Sequence, residues 1–404
     1  MTLSEELSWR GFVNQTTLEN ITDLDKSAVS FYWGVDPSSD SMQIGNLAAA
    51  MMVRHFIDYG HKAYLLVGGA TGMIGDPDGK ADERNLKTFD EIEKNKTAIA
   101  KQYRQVFAGK DFELVDNYDW FKNINYLDFL REVGKNVPMS QMLGREFIQS
   151  RLGEGGSGIS YAEFSYSLIQ GYDFLHLYRK HGVTLQVCGA DQWGNSIAGV
   201  ELIRRIDGGS ADIYSTPLVI NKATGRKFGK SEGGAVWLDE NKTSVYQFYQ
   251  FWLNVDDDGV IDYAKIYTLL TRDELRELAD RHAESPEKRL AQKRLAYEVT
   301  AIVHGADRAD SVAKVTDVLF GNSSIESLSD RDLEELAKEI PVIKSGLSVT
   351  KSLIESGLSA SNGEARRLLA GGAISVNGQK MTDDIVIDGL SLLKKGKNSF
   401  LLIR

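Results

Sequence analysis

The spacing of apolar residues changes along the chain, and each change marks a different kind of element. Ser30–Val35 (SFYWGV) and residues 63–67 are short apolar runs that read as buried strands. Between them Leu47, Met51, Met52, Phe56 and Tyr59 recur at helical spacing, which predicts a helix from about Asn46 to just before Gly60. The same alternation continues. Residues 87–107 read as a helix, 112–117 as a strand, and 126–152 as helices interrupted near Pro138. The tract 153–158 (GEGGSG) reads as flexible. A long helix from Tyr161 ends at Gly182 and feeds a strand at 183–187, a helix at 192–206 and a strand at 213–220. Strands alternating with helices imply an α/β fold with a parallel sheet.

Beyond about residue 240 the pattern is helical only. Residues 244–253 are rich in aromatics, Thr271 and Glu274 form a capping-box pattern, and Ser285-Pro286 is expected to open a long helix. Residues 321–344 read as a polar connection with one short helix. From 345 the pattern is two short helices, an Asn377-Gly378 hairpin turn and closing strands, a compact α+β module. The expected domains are therefore 1–235, 236–320 and 345–404, with 321–344 as a linker.

Composition narrows this picture. With 404 residues, 42% hydrophobic and 26% charged, the chain is expected to form two or three soluble domains. No apolar run approaches a membrane span, and the acidic start MTLSEELSWRG does not resemble a signal peptide, so a cytoplasmic location is expected. The single cysteine, Cys188, can form neither an internal disulfide nor a zinc cluster. The net charge of −10 argues against a protein that coats nucleic acid non-specifically. That charge is uneven: residues 345–404 hold eight Lys and Arg against five Asp and Glu, or +3, which leaves −13 on the remainder.

Candidate chemistry gathers at the predicted strand ends. On the helix from Tyr161, Tyr166, Gln170 and Asp173 share one stripe that could hold a small polar ligand, and Asp173 calls for a partner such as a phenol hydroxyl. The following strand opens into Gly189-Ala190-Asp191-Gln192. The tract 68–75 (GGATGMIG) could be a dinucleotide fingerprint or a turn that lets backbone N–H groups approach a ligand, although its glycine spacing is loose. Asp76, directly after it, either binds an ammonium or caps a local turn. The lysines of 227–231 (KFGKS) suit pyrophosphate, with Lys80 and Arg84 as additions to the same clamp, although charged loops are usually only solvated.

Five ordered segments, FYWGVDPSSDSMQIGNL, LVGGATGMIGDPDGK, EFSYSLIQGYDFLHLY, LQVCGADQWGN and KFGKS, resemble bacterial tyrosyl-tRNA synthetases, which are class I synthetases. The resemblance covers essentially the whole chain, and LIESGLSASNGEARRLLAGGAISVNG resembles an RNA-binding fold of ribosomal-protein type. It implies a Rossmann-like catalytic domain with a dimerisation insertion, an all-α anticodon-binding domain and a small α+β RNA-binding module.

Carried over by position, Tyr32 and Asp173 would hold a tyrosine hydroxyl, Asp76, Tyr166 and Gln170 its ammonium, and Gln186 and Gln192 would line the carboxylate side. Asp191 with Gly189 would meet the ribose. Gly34 and Asp36 would flank the ATP site, and Gly45 would let adenine approach the backbone. Gln43, Asn46, Lys80, Arg84, Lys227, Lys230 and Ser231 would serve the phosphates, and Arg366 and Arg367 a tRNA. The resemblance implies L-tyrosine, ATP with Mg2+ and tRNA as substrates, a homodimer contacting around 120–165, no tightly bound cofactor, no bound metal and no membrane.

Three positions depart from the family pattern. Gln43-Ile44-Gly45-Asn46 replaces a signature with histidine at both ends, Trp33 replaces a small residue, and KFGKS replaces Lys-Met-Ser-Lys-Ser. An RNA-binding paralogue without catalysis and a tryptophan-charging enzyme of the same fold are the alternatives.

Overall fold

The computed structural model describes residues 1–77, 86–144, 146–153, 155–222, 224–231, 234–321 and 323–404, without the side chains of Gln141, Glu146, Phe147, Lys230 and Ser231. Lys80 and Arg84 therefore lie outside the described residues, as do the side chains of Lys230 and Ser231. The chain divides into two compact units, residues 1–243 with 253–295, and residues 244–252 with 296–404.

The first unit is built on a six-stranded sheet: β1 (Gln15–Thr16), β2 (Ser30–Val35), β3 (Lys62–Val67), β4 (Glu113–Asp116), β5 (Val183–Gly189) and β6 (Asp212–Thr216). Their order is β1-β6-β5-β2-β3-β4, all parallel except the antiparallel edge strand β1. The helices up to this point are α1 (Leu3–Arg10), α2 (Ile44–Asp58), α3 (Gly69–Ile74), α4 (Phe89–Val106), α5 (Tyr118–Phe121), α6 (Tyr126–Glu132), α7 (Met139–Leu143), α8 (Glu146–Leu152), α9 (Tyr161–His181) and α10 (Trp193–Leu202). The chain runs outward from β2 to β4 on one side and from β5 to β6 on the other. Strand order thus reverses between β2 and β5, and a crevice opens at their carboxyl ends, where ligands of open parallel sheets bind.

Alternation along β2 explains its near-complete burial. Phe31 and Trp33 face one side, against Phe56 of α2 and Tyr103 of α4, while Tyr32 faces the other, against Phe174 of α9. Trp33 is thus a wall of the core, only 3% exposed. Ser160 caps the start of α9 and Gly182, at φ 63°, ends it in the left-handed conformation. Helix α9 packs on α10 through Gly171 and Gly199, where a Cβ at either position would press on the other helix.

Several expectations shift. The glycine tract after β3 is largely the short helix α3 rather than a loop. The predicted helix 192–206 ends its α-helical part at Leu202 and widens into a π-helical turn, and β6 stops at Thr216. The far end of the tract 153–158 is tied down: Arg151 Nε donates to Gly158 O at 2.7 Å and the guanidinium forms a buried two-pronged pair with Glu163. Pro286 opens only a 3-10 turn, because Arg289 takes a left-handed conformation (φ 52°) and donates to Leu253 O and Val255 O; the long helix begins at Leu290.

In the second unit, residues expected to link two domains are part of a core. Helix 330–337 is capped by Ser329, and Leu333 and Leu336 cluster with Val315, Leu319, Phe400 and Leu402. Residues 342–343 pair parallel with the last strand, so that sheet begins before residue 345. A second cluster around Leu353, Leu369, Leu393 and Leu401 fills the terminal module, and Asn377 (φ 48°) with Gly378 (φ 78°) makes the expected hairpin turn.

Candidate active site

A cavity of about 720 Å3 occupies the crevice at the ends of β2 and β5. Tyr32 and Gln186 are register partners across those two strands, and both reach it. From α9 come Tyr166, Gln170 and Asp173, spaced to face one way; Gly34 and Asp36 come from the end of β2, and Gly189, Asp191 and Gln192 from the end of β5. Asp76 follows α3, and Gln43, Gly45 and Asn46 sit at the start of α2 with Lys227 opposite. The stretch of sequence separating these residues spans almost two hundred positions, and parallel topology gathers them on one rim. Arg366 and Arg367 are exposed on helix 362–370 of the second unit.

The deep end is a buried polar network. Asp173 is 2% exposed; its Oδ2 accepts from Asn117 Nδ2 at 3.1 Å and its Oδ1 from Trp120 Nε1 at 2.9 Å. Burial pushes its carboxyl well above the usual carboxylate range, and these two N–H bonds pull the other way. The neighbouring Tyr32 phenol does not bond to Asp173. Burial, reinforced by the nearby Asp173 charge, raises the Tyr32 phenol well above its ordinary value, so it stays a donor. Tyr32 Oη, Gln170 Oε1 and Gln186 Oε1 are all buried without a hydrogen-bond partner among the described residues. Unsatisfied polar atoms converging on one cavity mark where a polar ligand belongs.

In the middle of the site Tyr166 Oη donates to Asp36 Oδ2 at 2.6 Å and Thr71 Oγ1 to Asp36 Oδ1 at 2.6 Å. Asp76 reaches across the rim: it accepts from Gln192 Nε2 at 2.7 Å and from Asn195 Nδ2 at 3.5 Å. Cys188 on β5 is buried, which pushes its thiol up to about 12, so it serves as packing.

The outer end is looser. Asn46 Oδ1 accepts from Gln43 N at 3.0 Å, which makes Asn46 a cap of its own helix start and leaves its amide N–H groups as what it offers the cavity. Gly45 has open space where a Cβ would stand. Lys227 pairs at 3.8 Å with Asp191, both about half exposed. The lysine loop is not solvated throughout: Phe228 is 5% exposed and stacks on Tyr263 at 4.3 Å. Val236 bridges that loop to the signature helix, donating to Gly229 O and accepting from Ile44 N.

Sequence reasoning passed over Asn117, Trp120, Thr71 and Asn195. Asn117 and Trp120 follow β4 in the run DNYDW, and only their place at the same rim as Asp173 would have singled them out.

An open parallel sheet with a polar cavity at its switch point, a glycine-bearing signature helix and a lysine loop facing it define the catalytic domain of a class I tRNA synthetase. Comparison with known proteins agrees. The family model for tRNA synthetases class I (W and Y) matches residues 24–321, and that for the tyrosine–tRNA ligase SYY-like C-terminal domain matches residues 332–404. A tyrosine–tRNA ligase from Levilactobacillus brevis is 44% identical over 393 residues, covering 95% of this chain and 92% of the relative. One from Flavobacterium psychrophilum is 41% identical over 429 residues and covers 99% of each chain. Among solved structures, a C-terminally truncated Aspergillus nidulans mitochondrial tyrosyl-tRNA synthetase superposes with a TM-score of 0.71 at 29% identity, over 79% of this chain and 94% of its own. The chain belongs to the tyrosine–tRNA ligase family of class I synthetases.

Proposed function

We infer that this protein activates L-tyrosine with MgATP to tyrosyl-adenylate, releases pyrophosphate, and passes the tyrosyl group to the 3′ end of a tRNA. The observation that carries the tyrosine assignment is the deep end of the cavity. There a buried phenol donor without a partner stands beside a buried carboxylate already oriented by two N–H groups. A substrate hydroxyl donates to Asp173 and accepts from Tyr32, whereas phenylalanine leaves the Tyr32 hydroxyl without a partner and offers Asp173 nothing beyond its two N–H donors. The principle is an established one for this enzyme family and is not new here.

Asp76, Tyr166 and Gln170 suit the ammonium, since each brings an oxygen to the cavity wall. Gln186 and Gln192 suit the carboxylate side, and Asp191 and Gly189 the ribose. Gly34, Asp36 and Gly45 flank the nucleotide. The carboxylate of tyrosine attacks the α-phosphate, and Gln43, Asn46, Lys80, Arg84, Lys227, Lys230 and Ser231 stabilise charge on the leaving pyrophosphate. Neither step needs a protein nucleophile, so positioning and charge stabilisation account for the catalysis.

Arg366 and Arg367, exposed on a module of net positive charge, suit tRNA phosphates. Residues 236–320 are assigned to the anticodon and 345–404 to RNA binding. Tyr126, Leu127, Met139, Leu152 and Tyr161 expose apolar surface within 120–165, which supports a homodimer through that region. No described helix is long and apolar enough to cross a membrane, and a cytoplasmic site of action is part of the proposal.

The test is amino-acid-dependent ATP–pyrophosphate exchange by the purified protein with tyrosine, phenylalanine and tryptophan. Exchange with tyrosine alone is expected. No exchange by a folded protein that still binds tyrosine would make it a non-catalytic paralogue, and exchange with tryptophan would overturn the amino-acid assignment.

A further inference from the structure

The tract Gly68-Gly69-Ala70-Thr71 is left over once the substrates have been placed, because it makes no phosphate loop. Its hydrogen bonds run elsewhere. Asn117, completely buried, donates from Nδ2 both to Asp173 Oδ2 at 3.1 Å and to Thr71 Oγ1 at 3.0 Å, and its Oδ1 accepts from Ala70 N at 2.6 Å. Thr71, 2% exposed, gives its only hydroxyl proton to Asp36 Oδ1 at 2.6 Å. It can therefore only accept from Asn117, and the direction of the path is fixed. Asp36 Oδ2 is held in turn by Tyr166 Oη. One continuous line of hydrogen bonds thus joins the carboxylate at the hydroxyl end of the cavity to the carboxylate at the end of β2, with Asn117 and Thr71 between them.

A second observation supports the line independently. A Cβ on residue 68 would collide with both Asp36 Oδ1 and Thr71 Oγ1, and one on residue 69 with Asp116 Oδ1, which accepts from Gly69 N. The paired glycines make room for this network.

We propose that Asn117 and Thr71 are positioning residues through which a substrate hydroxyl bound at Asp173 sets the orientation of Asp36 beside the nucleotide. The inference rests on the tyrosine-activating reading above. A hydroxyl that donates to Asp173 draws on the same lone pairs that hold Asn117, so the amide settles differently when the subsite is filled. Thr71 passes that change to Asp36. Buried hydrogen-bond chains polarise one another, which suits them to such coupling. The consequence is that the hydroxyl contributes to rate as well as to affinity: phenylalanine, even when it saturates the pocket, is activated slowly because Asp36 is left unset.

The test compares ATP–pyrophosphate exchange at saturating tyrosine and saturating phenylalanine in the wild type, Thr71→Val and Thr71→Ser, with KM for each amino acid. In the wild type kcat for phenylalanine is expected roughly tenfold or more below that for tyrosine, within the usual range of coupling energies. Thr71→Val should lower kcat for tyrosine by about the same factor and leave that for phenylalanine nearly unchanged, so that the two converge while their KM values stay apart. Thr71→Ser, which keeps the hydroxyl, should restore the difference.

An equal loss for both amino acids, as a purely structural defect would give, overturns the proposal. So does an unchanged kcat ratio in Thr71→Val. If circular dichroism shows Thr71→Val unfolded, Thr71→Ala reads the same ratio. Absence of tyrosine-dependent exchange in the wild type would instead refute the activation reading itself.

Discussion

At the deep end of the cavity Tyr32, Asp173 and Asn117 are each 2% exposed or less, and Asp173 is held on both oxygens by N–H donors. At the outer end Lys227 and Asp191 are about half exposed and sit 3.8 Å apart. The two ends lose different things when a partner is wrong. A buried donor or acceptor without a partner costs about 1–3 kcal/mol, so the deep end rejects ligands by leaving its own groups unpaired. An exposed ion pair is worth about 0–1 kcal/mol, so Lys227 can exchange Asp191 for a phosphate at small cost. Selectivity belongs where water is excluded, and charge handling where side chains can still move.

Changes at the deep end should therefore be the most damaging. Asp173→Ala removes the acceptor and strands Trp120 Nε1 and one of the two Asn117 Nδ2 protons; kcat/KM for tyrosine in pyrophosphate exchange should fall by about 10³-fold or more. Lys227→Ala should lower the pre-steady-state activation rate by about 10²-fold while the equilibrium Kd for tyrosine stays within about twofold, as expected of a group that acts on charge developing in the transition state. A matching loss of tyrosine affinity would erase the division between the two ends. Tyr32→Phe removes a single neutral hydrogen bond, and the tyrosine-to-phenylalanine ratio of kcat/KM should drop by about tenfold.

The smallest effect is expected at the signature. Gln43→His should raise the activation rate by a few-fold and give it a pH dependence centred near the ordinary imidazole value of about 6.5, with the gain present below that pH and lost above it. Among the described residues the wild type lines this cavity without a histidine, so no imidazole step should shape its activation rate across the same range. No gain in Gln43→His would mean that the outer end is already adapted to neutral amides.

The sequence was most legible where local pattern and topology agree. The apolar run at Ser30–Val35, the helix ended by Gly182 and the Asn377-Gly378 turn have the expected bounds, because each is specified by its own residues. Tyr166, Gln170 and Asp173 could be grouped because helical spacing stacks them. Asn117 and Trp120 could not, since what matters about them is a partner some fifty-five positions away. Phe228 was hidden for a similar reason: nothing in a polar loop announces the ring that docks on Tyr263. Pro286 suggested a helix start, and the left-handed Arg289 defeated it by satisfying two carbonyls that nothing local reveals.

The double donation onto Asp173 also bears on redesign. An engineer who wants the pocket to accept a para substituent larger or less polar than a hydroxyl would naturally begin by replacing Tyr32 and Asp173. Doing so abandons the indole N–H of the half-buried Trp120 and one amide proton of the fully buried Asn117. The smallest unit that can be swapped cleanly is thus Asp173 together with Asn117 and Trp120, and libraries that randomise only the walls touching the ligand would be searching with the scaffold's own unmet bonds set against them.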